Sequence, residues 1–180
     1  MKEVQPIRDK EKIDQMKQEL LKISYRDYFL FVMGINTGLR ISDLLKLKVK
    51  DVKDKTYITI QEMKTDKTKR FRINFELQQE IEKYIQNMND DDFLFKSKRS
   101  NNPIQRVQAY KIINSVAKKI GLDEIGTHTL RKTFGYWAYK KTKDVAMLQE
   151  IFNHSAPSIT LKYIGIRQEE IDQALDDFYL

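Results

Sequence analysis

Three short segments of the sequence between them supply arginine, histidine and tyrosine side chains, a combination suited to chemistry on a phosphate ester. The segments cover residues 37–47, 128–134 and 152–163. Cleaving a phosphodiester requires a nucleophile, positive charge beside the non-bridging oxygens and a proton for the leaving oxygen. The planar guanidinium of arginine binds two phosphate oxygens and stays charged at neutral pH. A tyrosine hydroxyl attacks once it loses its proton.

In this order, the three segments resemble the sequence boxes of the tyrosine recombinases of the phage-integrase type. Thr-Gly-Leu-Arg-Ile-Ser-Asp at residues 37–43 is similar to the box that holds the first arginine of the family. His-Thr-Leu-Arg at residues 128–131 is similar to the HxLR box. His154 precedes Tyr163 by nine residues, as a histidine precedes the nucleophilic tyrosine in the final box. The boxes together make a specific signal, and the resemblance spans residues 13–163.

The resemblance implies an enzyme that cuts and rejoins DNA, with Tyr163 as the nucleophile. Attack would leave a 3′-phosphotyrosyl link and free a 5′-hydroxyl, and rejoining would need no ATP or other cofactor because the link conserves bond energy. Arg40 and Arg131 are then expected to clamp the scissile phosphate. Residue type alone leaves blander alternatives open: the chain has nine tyrosines, Arg40 could cap a helix, and Arg131 could be a surface charge.

A basic turn between two predicted strands supplies candidates for the acid that protonates the leaving 5′-oxygen. Lys64 matches the hairpin lysine of the family, so the resemblance favours it, and a positioned acid contributes about 10²–10⁴-fold to such a step. Lys67 and Lys69 lie on the same turn and are rivals. The alternative is that all three lysines contact backbone phosphates.

Two histidines and one aspartate complete the set that the resemblance implies. His128 and His154 would orient the phosphate, and one of them would take the Tyr163 proton, with His128 as the better acid–base candidate. The alternative is a pair of buried, hydrogen-bonded imidazoles. Asp43 would hold the first arginine or a histidine in place, or would simply pair with Lys46 along its helix.

The charge of the chain favours an anionic partner. A net charge of +7 is typical of proteins that bind nucleic acid, although a soluble basic protein without such a partner has the same balance. Basic clusters at residues 64–72, 96–99, 131–132 and 140–143 could line double-stranded DNA. The side chains expected to contact DNA are Lys67, Lys69, Arg70, Lys98, Arg99 and Lys132.

The spacing of apolar residues predicts an α+β domain, mostly helical, with a small antiparallel β-sheet. Helical spacing occurs in residues 9–22, 25–37, 41–47, 75–88, 104–120, 129–140, 145–152, 158–164 and 168–178. Alternation at residues 55–63 and 70–74 predicts two strands joined in a hairpin with a basic tip. The hairpin carries the candidate lysines, and the other candidates lie on or beside predicted helices.

Composition excludes several classes of site. The chain has no cysteine, so disulfides and cysteine-ligated metals are excluded, and its two histidines lie too far apart for a helical metal-binding pair. There is no run of about 18 apolar residues that would predict a membrane span. The first residues lack the apolar region of a secretory signal. These features predict a cytoplasmic protein without a metal centre.

Length and the resemblance predict a single catalytic domain over residues 1–180. Family members usually carry an N-terminal helical core-binding domain that binds the far face of DNA, and only 24 residues precede the helix that leads to Arg40, so that domain is expected to be absent. The sequence leaves open whether the chain is a fragment or a natural short form. The acidic amphipathic stretch within residues 168–180 is expected to dock on a neighbouring subunit of a tetrameric synapse, or equally on its own domain.

Three functions are compatible with these residues. The first, which the resemblance favours, is site-specific strand exchange in integration, excision or chromosome-dimer resolution. The second is a non-catalytic DNA-binding regulator that keeps the fold, and the complete set of active-site residues argues against it. The third is topoisomerase-like strand passage, which uses the same phosphoryl transfer.

Overall fold

Helices dominate the computed structural model, which describes residues 4–61 and 68–179. In chain order the helices are α1 (Lys10–Ile23), α2 (Tyr25–Thr37), α3 (Ile41–Leu44), α4 (Phe75–Ile85), α5 (Arg106–Lys119), α6 (Thr127–Thr142), α7 (Val145–Phe152), α8 (Pro157–Tyr163) and α9 (Ile166–Asp176). Strands β1 (Tyr57–Gln61) and β2 (Thr68–Arg72) form an antiparallel pair. The prediction of a mostly helical α+β domain with a small antiparallel sheet is confirmed. None of the described helices is long and apolar enough to span a membrane.

Helix α2 lies at the centre of the fold. Its residues Phe29, Leu30, Phe31 and Met33 are fully buried, and the helix packs against α1, α4 and α6. A helix that is apolar on most of its surface suits such a position. Side chains of α2 therefore contribute to both large apolar clusters, one shared with α3, α4 and the hairpin and the other with α1, α5 and α6.

The end of α2 determines where the first arginine box lies. Gly38 ends the helix with φ +69°, in the left-handed region that favours glycine. A Cβ at this position would lie 2.4 Å from the Phe134 ring of α6, so the glycine also allows α6 to approach. Arg40 follows two residues later and directly precedes α3. The junction of α2, α3 and α6 therefore holds the first arginine.

The β-hairpin packs one face on the core and turns the other to solvent. The register pairs Ile58 with Phe71, and both side chains are buried. Arg70 and Arg72 lie on the opposite face of β2 and are exposed. Strand β1 is shorter than the predicted stretch and begins at Tyr57. Strand β2 begins two residues before its predicted stretch. The turn itself, residues 62–67, lies outside the described residues.

The structure also has a short 3₁₀ helix at Val49–Asp51 that was not predicted, and the other differences lie at helix ends. Helix α3 ends at Leu44 rather than three residues later, and the chain then turns so that Lys48 forms an antiparallel bridge with Phe93. Helix α9 begins at Ile166, before the predicted start, directly after the left-handed Gly165. Apolar spacing locates the buried face of a helix, whereas caps and turns determine its ends.

Candidate active site

The first two arginine boxes meet at a polar cleft between α3, the hairpin and α6. The cleft has a volume of about 670 Å³, and its lining includes Arg40, Asp43, Lys69, Arg131 and Asn153. Arg40 is exposed, whereas Arg131 is only 6% exposed. Two arginines beside one open cleft provide the positive charge that binding a phosphodiester requires.

Arg131 connects all three sequence boxes. Its guanidinium donates to the carbonyl of Gly38 at 2.5 Å and to the carbonyl of Phe152 at 3.3 Å, and it lies 4.5 Å from the centre of the Phe152 ring. Burial lowers the pKa of Arg131, and the charges of Tyr163 and Asp43 partly offset that effect. Backbone groups of the first and last boxes therefore hold this guanidinium in one place.

Tyr163 ends α8 beside both arginines. Its ring packs edge-on against Phe152, with centroids 5.4 Å apart, and against His154, with centroids 5.1 Å apart. Burial raises the pKa of the Tyr163 phenol, while Arg131, through its charge and a hydrogen bond, and Arg40, through its charge, lower it. The phenol is therefore protonated at neutral pH, and the arginines lie where they stabilise a phenolate as the proton leaves.

His154 is held by Thr160 of α8. Its Nδ1 lies 2.9 Å from Thr160 Oγ1, and Thr160 is fully buried. Burial lowers the pKa of His154, and the charges of Arg131, Arg40 and Lys69 lower it further. The imidazole is therefore neutral at pH 7, with Nε2 remaining for a hydrogen bond to a substrate.

His128 lies in the first turn of α6, which begins at Thr127, two residues before the predicted start. Its Nε2 lies 3.5 Å from a guanidinium nitrogen of Arg106, at the start of α5. Burial lowers the pKa of His128, and Arg106 has the largest effect among four nearby cations that lower it further. A neutral imidazole at pH 7 is suited to accept a proton.

Lys69 is the one candidate general acid within the described residues. Its Nζ lies 3.3 Å from the Glu150 carbonyl and 3.4 Å from the Ile151 carbonyl, both near the end of α7. Lys69 therefore joins β2 to the segment that carries the final box. Lys64 and Lys67 lie outside the described residues.

The remaining residues predicted to contact DNA differ in their exposure to solvent. Arg70, Lys98 and Arg99 are exposed. Lys132 is instead 4% exposed and donates to the carbonyl of Val4 at 2.9 Å. A buried ammonium does not reach a DNA backbone without rearrangement, so the structure gives Lys132 a different setting from the surface phosphate contact that the sequence predicts.

The resemblance predicted that Asp43 holds Arg40 or a histidine in place. Asp43 lines the cleft, and its negative charge acts on Arg131. Across residues 4–61 and 68–179, no group of three or more histidine, aspartate or glutamate side chains is arranged to hold a metal ion.

Sequence reasoning missed two residues that contact the predicted histidines. Arg106 is separated from His128 by 22 positions and belongs to no recognisable motif, so only the packing of α5 on α6 reveals it. Thr160 lies in the final box beside residues that were singled out, and its position six residues after His154 is a local signal that could have suggested a contact.

Comparison with known proteins adds independent evidence. Residues 8–170 match the model of the phage integrase family. The chain is 55% identical over 166 residues to the probable integrase/recombinase YoeC of Bacillus subtilis (strain 168), and the match covers 92% of each chain. It is 25% identical to the tyrosine recombinase XerA of Pyrococcus furiosus, in a match that covers 92% of this chain and 59% of that relative.

The fold is shared with solved recombinase structures. The crystal structure of XerA recombinase matches with a TM-score of 0.74 and 22% identity, over 98% of this chain and 66% of that one. The structure of XerH bound to palindromic difH substrate, a post-cleavage complex, matches with a TM-score of 0.73 and 21% identity. That match covers 98% of this chain and 54% of the XerH chain. The chain therefore spans nearly all of the Bacillus relative and just over half to two thirds of these longer proteins. With three boxes converging on one cleft and a family match over most of its length, the chain belongs to the phage integrase family and has the fold of tyrosine recombinases.

Proposed function

We propose that this chain is the catalytic domain of a site-specific recombinase, which cleaves and rejoins double-stranded DNA through a 3′-phosphotyrosyl intermediate on Tyr163. The observation that carries the proposal is the convergence of Tyr163 with Arg40, Arg131 and His154. A tyrosine beside two cations has what attack on a phosphodiester needs. The name of YoeC, a probable integrase/recombinase, supports a role in moving DNA between sites.

The two arginines would bind the non-bridging oxygens of the scissile phosphate. Arg40 is exposed at the cleft, and the buried Arg131 is held by two backbone carbonyls. Each donor would stabilise the transition state by roughly 3 kcal/mol, by analogy with the removal of an oxyanion-hole donor. Asp43 would support Arg131 through its charge.

The two histidines would take different parts in the reaction. His128 is neutral near pH 7 because of burial and its cationic neighbours, so it is our candidate for accepting the Tyr163 proton. In the tautomer of His154 whose Nδ1 accepts from the Thr160 hydroxyl, Nε2 carries the proton and would donate to a phosphate oxygen.

Lys64 is our candidate for the acid that protonates the leaving 5′-oxygen, with Lys67 and Lys69 as rivals. A substrate whose 5′-bridging oxygen is replaced by sulfur distinguishes them, because a thiolate leaves without a proton. Methionine substitution of the true acid should slow cleavage of ordinary DNA and leave cleavage of the sulfur-substituted DNA nearly unchanged. A lysine whose substitution slows both substrates equally is not the acid.

Exposed cations would hold the DNA beside the cleft. Arg70 on the hairpin and Lys98 and Arg99 on the loop after α4 are our candidates for contacts with backbone phosphates. Their long exposed side chains suit a partner that is read by charge rather than by base sequence. A protein that acts on DNA in this way would work in the cytoplasm.

We propose that α9 docks on a neighbouring copy during assembly on DNA. Its first turn packs on its own domain, where Ile166 is buried and Glu169 pairs with Lys140. Beyond that turn, Leu175 is 57% exposed and Phe178 is 64% exposed. Light scattering of the DNA complex tests this: truncation after residue 165 should lower the assembled mass, and an unchanged mass would count against docking in trans.

Covalent capture on nicked DNA tests the proposed activity. A pool of duplexes with a random core and a nick lets the short 5′-hydroxyl fragment diffuse away after cleavage, so that the adduct accumulates. Wild-type protein should form adducts that survive denaturation and EDTA, and the Tyr163→Phe variant should form none. Adducts that persist in the variant would show that Tyr163 is not the nucleophile. The absence of adducts with wild-type protein would favour a non-catalytic regulator.

A further inference from the structure

The segment of residues 4–8 lies across α6 as a fixed strap. The amide of Ile7 donates to Thr133 Oγ1 at 2.9 Å, and the Trp137 indole donates to the Ile7 carbonyl at 2.9 Å. Ile7 itself is 2% exposed. The strap is therefore attached to the helix that carries His128 and Arg131.

The end of the strap reaches the turn that follows the candidate nucleophile. The guanidinium of Arg8 donates to the carbonyl of Gly165 at 3.3 Å and lies 3.7 Å from the Glu169 carboxylate of α9. Gly165 has φ +76°, and a Cβ there would lie 2.2 Å from the Arg8 side chain. Arg8 therefore packs closely against a turn two residues after Tyr163.

The start of the strap reaches Tyr163 through Lys132. The ammonium of Lys132 donates to the Val4 carbonyl at 2.9 Å and lies 5.0 Å from the centre of the Tyr163 ring. Lysine is almost never buried to 4% exposure unless its charge is bound by polar groups. A cation at this distance from an aromatic ring attracts it electrostatically. None of the phosphate-handling steps proposed above uses this lysine.

We propose that Lys132 is a positioning residue that fixes the ring of Tyr163, and that the strap, by binding Lys132 at one end and the Gly165 turn at the other, controls how firmly the nucleophile is held. The inference rests on the proposed function in one respect, that Tyr163 is the nucleophile. A nucleophile misplaced by about 1 Å reacts about 100-fold more slowly, so small losses of order at Tyr163 have large effects. Displacing the strap would then slow cleavage while leaving both arginines in place.

The placement of Tyr163 is measured first without DNA. Ring-¹³C-labelled tyrosine gives NMR signals, and the Tyr163 signal is the one that disappears in Tyr163→Phe. Lys132→Met should shift and broaden this signal, and Lys132→Arg should restore it because a cation returns to the ring. Lys162→Met, which removes an exposed charge from the neighbouring position, is the matched control and should leave the signal unchanged.

The second measurement is the rate at which the protein forms the covalent adduct when nicked DNA is saturating. Lys132→Met and Arg8→Met should each slow it by about 10–100-fold, with unchanged DNA affinity measured in the Tyr163→Phe background. An unaltered Tyr163 signal in Lys132→Met, or a loss of affinity that accounts for the slower rate, would overturn the proposal. If Lys132→Met does not fold, the Tyr163 NMR signal and the rate of adduct formation are measured in Arg8→Met instead, and these two results decide. If wild-type protein forms no adduct, the proposed function fails, and the NMR signals still decide whether Lys132 positions Tyr163.

Discussion

At the scale of single residues, the site depends most on Arg131. The buried guanidinium binds backbone carbonyls of Gly38 and Phe152, which belong to the first and last boxes, and it lies beside the Tyr163 phenol. The same side chain therefore has a structural role and, in the proposed mechanism, a chemical role. A substitution that keeps the positive charge but removes the planar guanidinium fork separates these two roles.

Arg131→Lys should slow adduct formation by about 10²–10³-fold at saturating DNA, because one ammonium cannot hold two carbonyls and also bind a phosphate. Thermal unfolding should show a lower Tm in the same variant, since at least one buried carbonyl loses its donor. Arg167→Lys, an exposed arginine just after Tyr163, is the control and should change neither quantity. A near-wild-type rate in Arg131→Lys would contradict the role given to the fork.

The pH dependence of cleavage should report the protonation of His128. Burial and nearby cations hold its pKa below the usual value, so the neutral base is present at pH 7 and is lost as the pH falls through that lowered pKa. Arg106→Gln removes the largest cationic contribution and should raise the pKa of His128. The acidic limb of the rate profile should then move to higher pH. A limb that does not move would show that His128 is not the titrating base.

The sequence indicated the candidate phosphate-handling residues more readily than the residues that contact them. Arg40, Arg131, His154 and Tyr163 were predicted from their boxes. The structure brings the two arginines to one cleft and places His154 and Tyr163 close enough for both arginines to act on them. Lys132 follows Arg131 directly and reads as a surface charge. Its burial depends on the backbone of residue 4, and no local pattern predicts a contact across so much of the chain.

At the scale of elements, the close approach of α2 and α6 builds the cleft. The two helices pack against each other, and the first arginine box begins where α2 ends. Apolar periodicity predicted both helices. It did not predict that the second would begin at Thr127, because hydrogen bonding around Gly126 sets that start.

Gly38→Ala should destabilise the fold by at least about 1 kcal/mol in urea denaturation, because alanine is strained at positive φ. Gly121→Ala is a matched control, since Gly121 has φ +73° and no heavy atom lies within 4 Å of its hypothetical Cβ. The loss at Gly38 should exceed the loss at Gly121, because only there does the Cβ meet Phe134 at 2.4 Å. Equal losses would show that backbone strain alone matters and that the α2–α6 approach tolerates a methyl group.

At the scale of the whole molecule, charge and exposure suit a surface that binds DNA. The net charge of +7 comes with exposed cations on the hairpin and on the loop after α4. Composition predicted an anionic partner, and it could not show which lysines are buried. That distinction needed the packed structure, as Lys98 and Lys132 illustrate.

DNA affinity should fall by about 10³–10⁵-fold between 50 and 200 mM salt if about 6–10 phosphates are bound. The Tyr163→Phe background avoids cleavage during the titration. A Lys98→Gln and Arg99→Gln double variant should make the salt dependence shallower by about two phosphate contacts. Lys132→Met should leave the slope unchanged, because that lysine is buried. A shallower slope in Lys132→Met would restore its predicted role as a DNA contact.

The most direct test of the central claim is the chemical identity of the link between protein and DNA. Adducts captured from nicked duplexes are digested with nuclease and protease, and tandem mass spectrometry locates the residue that carries the nucleotide. The proposed mechanism predicts a nucleoside 3′-phosphate on the phenolic oxygen of Tyr163. A nucleotide on any other residue, or a link through a 5′-phosphate, would contradict it.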